Sequence, residues 1–219
     1  MLKDDVLKRL ESLSNPARYK TLIKAGAPKE TYGVLLGNIR SIAKEIKINH
    51  ELAYDLWQTK NTDARLLSVM IFDSKQIDKK FAIELISSVK FDQLLDDLMF
   101  RLIVEINPLD EVEETLSHME DDYLKRAYWS IQVHKASKKL LAHDKIDELI
   151  KHAKLNLLTE SKQAQWMMNR FLATVGIYYE TYRNEIIHIG ETLKLFKDQV
   201  VPKGCTRAYI PEWIAAVVK

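Results

Sequence analysis

Leu36-Gly37-Asn38-Ile39-Arg40-Ser41-Ile42-Ala43-Lys44-Glu45-Ile46-Lys47 is the stretch on which the fold class turns. Its apolar residues Ile39, Ile42, Ala43 and Ile46 recur at three- and four-residue intervals, with polar residues opposite. That is one face of a helix with 3.6 residues per turn. A half-buried strand needs strict alternation, which this run lacks. The spacing predicts a helix over 36–47 with that stripe buried.

The same period continues on both sides. Upstream, 4–13 opens with an acidic first turn and carries Val6, Leu7 and Leu10 on one side. Residues 15–34 read as a long irregular connection, with Asn15-Pro16 and Ala27-Pro28 as breakers. Downstream, helices are predicted over 51–58, 62–72, 78–89, 92–106, 109–119, 123–141, 145–158, 161–178, 182–196 and 209–218. Segment 62–72 is apolar nearly all round, which predicts an inner helix, N-capped by Asn61 or Thr62. Helices of about 10 to 18 residues on short connectors predict stacked antiparallel pairs. No exact repeat recurs, but a helix–turn–helix length of roughly 35–40 residues does, compatible with HEAT-type arrays. The fold class predicted is all-α, a HEAT-like α-α superhelix: a curved solenoid of antiparallel helix pairs in a single domain over 1–219. A compact helical bundle is the competing arrangement.

Composition bounds the chemistry. The 219 residues suffice for a real core, and the one cysteine, Cys205, excludes an intramolecular disulfide or a cysteine-clustered zinc site. That usage fits a reducing compartment. Met1-Leu2-Lys3-Asp4-Asp5 is not read as a signal peptide, because no apolar run follows the lysine. No stretch approaches a membrane-spanning length, so a soluble, cytoplasmic protein with no membrane contact is predicted. The net charge of +2 hides an uneven layout. Lys/Arg outnumber Asp/Glu 11 to 7 over 1–60 and 16 to 9 over 123–219, but over 61–122 they trail, 6 to 15. A polyanion would be gripped by the basic ends and repelled by much of the middle.

Motifs of the common catalytic kinds are missing: no P-loop, Gly-x-Gly-x-x-Gly, His-Glu-x-x-His or Gly-x-Ser-x-Gly. The spacing of His50, His118, His134, His143, His152 and His188 suggests no metal cage. What remains is Val89–Phe100, where Asp92 and Asp96 lie four residues apart on one helical face. Like charges at that spacing repel, so an ordinary surface helix gains nothing from the pair. Two partly shielded carboxylates can instead meet a cation or an electron-poor transition state.

Tyr32-Gly33-Val34-Leu35-Leu36-Gly37-Asn38-Ile39-Arg40 resembles the Tyr/Phe-Gly-Val-x-x-Gly-x-Ile/Leu-Arg opening of the AlkD-like DNA alkylation-repair proteins. His50-Glu51-Leu52-Ala53, Leu56-Trp57 and Ala64-Arg65-Leu66-Leu67 resemble the next helix pair of that family. Gln165 to Phe171 with Val175-Gly176-Ile177-Tyr178 resembles its late helix, and 205–210 its closing segment.

The resemblance implies a HEAT-like solenoid with a basic concave face for duplex DNA. Active members hydrolyse the N-glycosidic bond of cationic alkylated purines. There an aspartate stabilises the oxocarbenium-like sugar and tryptophans pack against the lesion-bearing nucleotide. The family's Trp-Asp-x-x-Asp helix falls on Asp92-Gln93-Leu94-Leu95-Asp96. Asp96 takes the catalytic position, but Asp92 stands where the tryptophan belongs, and Phe91 comes one residue early. The second tryptophan position falls near Asn169, with Trp166 three residues before it. The resemblance thus makes Asp96 the catalytic carboxylate. It makes Lys125, Arg126, Trp166, Asn169 and Arg170 the DNA contacts, with no metal and no cofactor. Structural readings compete: Arg126 as an ion-pair partner of Asp96, the tryptophans as packing, and Arg40 as a pin for the first helix pair. The competing function is a non-catalytic scaffold for DNA structures or a protein partner.

Overall fold

The computed structural model describes residues 2–218. Met1, the first residue of the segment weighed as a leader, and Lys219 lie outside the described residues. Among the described residues there are thirteen α-helices and no strand. They run α1 (Lys3–Ser12), α2 (Pro16–Lys24), α3 (Leu36–Ile46), α4 (His50–Gln58), α5 (Thr62–Ile71), α6 (Lys79–Ser87) and α7 (Asp92–Arg101). They continue as α8 (Leu109–Ser117), α9 (Asp122–Ser137), α10 (His143–Asn156), α11 (Lys162–Tyr178), α12 (Arg183–Leu193) and α13 (Ile210–Val217). No helix among them is long and apolar enough to cross a membrane. The chain divides into two compact units, one reaching Thr115 and the other beginning at Leu116.

In the first unit α5 is the inner helix, packed against α1, α3, α4 and α7. Its all-round apolar composition requires this, since a helix with no polar face must be covered on every side. Asn61 caps it, accepting from Ala64 N at 3.0 Å. The predicted stripe of α3 is buried at Ile39, Ile42 and Ala43, while Ile46 is half-exposed at the helix end.

The expectation of an irregular connection over 15–34 is wrong over its first half, which is α2. Asn15 and Pro16 start this helix rather than break the chain. The Asn15 side chain accepts from Arg18 N at 2.9 Å. Proline at the first helical position loses no hydrogen bond there, because that N–H has no intrahelical partner. The predicted helix over 92–106 is also too long. Leu102 leaves the helical region (φ −120, ψ −58), and a 3₁₀ turn over Ile103–Glu105 follows. Leu102, Ile103 and Val104 are all buried.

In the second unit α11 is the hub, packed against α9, α10, α12 and α13. Ser161 caps it, and Phe171, Leu172 and Val175 are fully buried along it. Gly176 makes room for α13: a Cβ there would overlap the Ile214 side chain and lie 3.2 Å from Ile186 Cγ2.

Candidate functional site

The Tyr32–Arg40 motif and the Ala64–Leu67 motif meet at one carboxylate. Asp63, in the first turn of α5, is fully buried. Its Oδ2 accepts from Thr31 Oγ1 at 2.7 Å, Tyr32 N at 2.6 Å and Gly33 N at 3.0 Å. Its Oδ1 accepts from Val34 N at 3.0 Å. Three successive backbone N–H groups therefore converge on one buried anion, which replaces its lost hydration with charge-assisted bonds. Gly33 permits this, with φ +74 and its α-carbon so close that a Cβ would sit 2.5 Å from Tyr19 N. This is a structural clasp, and nothing in the local sequence pattern singles out Asp63.

Arg65, not Arg40, does the pinning. Its guanidinium lies 4.7 Å from the Trp57 ring centroid, and it donates to Trp57 O and Ser88 O, each at 3.1 Å. Burial holds its pKa below the usual guanidinium value. Arg40 is exposed.

The α7 face has the predicted form. Asp92, Gln93, Asp96, Asp97 and Phe100 are half-buried, while Leu94, Leu95, Leu98 and Met99 are buried. Asp92 and Asp96 thus lie one turn apart on the half-exposed side. Gln93 accepts from Arg18 Nη2 at 2.7 Å, which ties α2 to this helix. Asp97 pairs with Arg101 one turn on. Phe91 is only 2% exposed, so its ring belongs to the core and presents no aromatic wall.

The other predicted residues belong to the second unit. Arg126 is 3% exposed, with Nη1 3.4 Å from Gln163 O. Lys125 pairs with Glu120 at 3.0 Å and Glu160 at 3.4 Å. These partners, the Glu120 hydrogen bond foremost, raise its pKa. It lines a concavity of about 310 Å³ together with Tyr128, Trp129 and His152. Asn169 is fully buried, and its Nδ2 donates to Ala208 O at 2.8 Å. Arg170, one residue on, is half-buried.

Trp166 is half-buried in a ring cluster, 5.6 Å from Phe196 and 6.2 Å from Trp213 between centroids. Sequence reasoning missed Phe196 and Trp213 as its companions. They lie 30 and 47 residues further along the chain, and no local pattern links them to α11.

The comparisons with known proteins agree in direction. The family described as DNA alkylation repair enzyme matches residues 6–188. Two uncharacterized proteins, one from Listeria innocua and one from Listeria monocytogenes, are each 26% identical over 228 aligned residues. Each alignment spans 99% of this chain and 96% of the relative. One solved structure shares 25% identity at a TM-score of 0.83, covering 99% of this chain and 93% of its own. It is described as a new family of proteins related to the HEAT-like repeat DNA glycosylases with affinity for branched DNA structures. The fold is therefore of the HEAT-like repeat type.

Proposed function

The chain belongs to the DNA alkylation repair enzyme family, and from that membership we propose that it is a DNA-binding protein that recognises branched or interrupted duplexes. The observation that carries this reading is the likeness along nearly the whole chain to a structure described as having affinity for branched DNA. The α7 geometry favours binding over cleavage. The position of the family's tryptophan holds Asp92, and Phe91 beside it is turned into the core. A cationic base loses its aromatic partner there and gains a second carboxylate. The basic residues beyond 123 supply the polyanion attraction that any DNA binder needs. The test is fluorescence anisotropy with a labelled four-way junction and a linear duplex of equal length, at rising salt. Tighter binding to the junction, with affinity falling as salt rises, is the expected result. No retention of either DNA at low salt refutes the reading.

A second reading is favoured by Asp96, which keeps the catalytic register and is half-buried rather than lost in the core. In it Asp96 stabilises the oxocarbenium-like sugar while water displaces an alkylated purine. Its test is release of 7-methylguanine or 3-methyladenine from methylated DNA, compared with Asp96→Asn. Equal release by both proteins, at the level of buffer alone, ends it.

A further inference from the structure

The geometry of the second unit points to a stacking platform for unpaired DNA bases, built from Trp166, Phe196 and Trp213. The inference rests on the DNA-binding reading above and names the part of the DNA that this unit grips. Trp57 and Trp129 are 3% and 4% exposed, as packing tryptophans are. Trp166 packs against both Phe196 and Trp213, yet all three rings stay half-exposed.

The chain is strained to keep them there. Phe196 has φ +61, a left-handed conformation that is an outlier for a bulky side chain. Polar contacts hold the segment in this shape. Buried Asn169 on α11 fastens Ala208 O at 2.8 Å, and Gln199 Oε1 accepts from Ala208 N at 2.9 Å. Arg207 donates to Lys197 O at 2.7 Å and pairs with Glu212 on α13. The ring of Phe196 is thus placed against Trp166 by a network that does not depend on burying it.

Cations flank the rings. Exposed Lys162 precedes Trp166 by one helical turn and Arg170 follows it by one, both on its face of α11. Exposed Lys197 adjoins Phe196. Aromatic faces bordered by cations are what a single-stranded nucleic acid requires: the rings stack on bases and the cations meet phosphates. Paired bases stack on each other and leave no free face for such rings, so the occupant is the unpaired stretch at a gap or branch.

The test uses the full chain and two labelled probes: a covalently closed, fully paired circular duplex, and the same circle interrupted by a single-stranded gap. Intrinsic tryptophan emission should be quenched by the gapped probe, because stacking bases reach Trp166 and Trp213. Trp166→Leu should weaken the gapped complex about tenfold and leave the closed duplex within about twofold. Phe196→Gly is the second variant. Glycine adopts the left-handed conformation without strain, so this change removes a ring while favouring the local backbone. It should lose gapped-probe affinity with its thermal midpoint retained. Equal losses on both probes, or unchanged affinity for the gapped probe in both variants, overturn the platform alone. No binding of wild type to either probe overturns the DNA-binding reading and the platform with it.

Discussion

Asp63→Asn is the substitution that most directly tests how the first unit is held. The amide keeps the shape of the carboxylate but changes what it offers. With its oxygen in the Oδ2 position it still accepts from Thr31, Tyr32 and Gly33. Its NH₂ group then faces Val34 N, 3.0 Å away, donor against donor. The reversed orientation sets the NH₂ group against the Tyr32 and Gly33 N–H groups, so the first is the lesser loss. One charge-assisted bond is forfeited, at about 1.5–3 kcal/mol. The three that survive become neutral, at roughly 0.5 kcal/mol each. The sum is about 3–4.5 kcal/mol, large for a domain of ordinary stability. With a urea slope of about 2 kcal/mol per molar, the midpoint should fall by roughly 1.5–2.2 M. Urea titration followed by circular dichroism reads this directly. A midpoint within about 0.3 M of wild type would show that the clasp is no clasp, and that the 31–34 segment is held by packing alone.

Three further outcomes concern Lys60, Tyr182 and the carboxylates around Lys125. Lys60 has φ +58 just past the end of α4, so Lys60→Gly should stabilise by about 0.5–1 kcal/mol, raising the thermal midpoint by about 2 °C; a lowered midpoint would contradict it. The Tyr182 phenol, 9% exposed, is pushed up to about 12, by burial first and then by Asp147. Its contribution to stability is full below the ordinary phenol value near pH 10 and is lost as pH rises toward about 12, because the unfolded chain ionises first; Tyr182→Phe should flatten that loss in alkaline denaturation curves and remove a late-titrating component at 295 nm. Glu120→Gln with Glu160→Gln strips Lys125 of its two carboxylates; if Lys125 meets phosphate, affinity for DNA at low salt rises and the salt slope steepens by about one, whereas an unchanged slope removes Lys125 from the interface.

Helix positions were legible because caps and apolar spacing are local. Asn61 before α5, Ser161 before α11 and the Ile39–Ala43 stripe of α3 behave as their neighbours in sequence dictate. α2, the helix that the apolar spacing does not announce, is also locally encoded: in Asn15-Pro16 the capping power of asparagine outweighs the breaking power of proline. The half-buried stripe of Asp92, Gln93, Asp96, Asp97 and Phe100 likewise follows from helical period alone. The burial of Arg126 and Asn169 does not follow from it. Both are polar, and hydropathy places polar residues outside unless the packed neighbour that covers them is known.

The sequence by itself determined an all-helical chain and the inner place of α5, since each depends on residues within a turn or two of one another. Only the tertiary structure decided that Asp63 gathers the donors of 31–34, that Phe91 turns inward, and that Trp166 meets Phe196 and Trp213. These outcomes join residues far apart in the chain. A hydrogen bond or ring contact across that separation leaves no period in the sequence; it exists only once packing has brought the partners within a few ångströms.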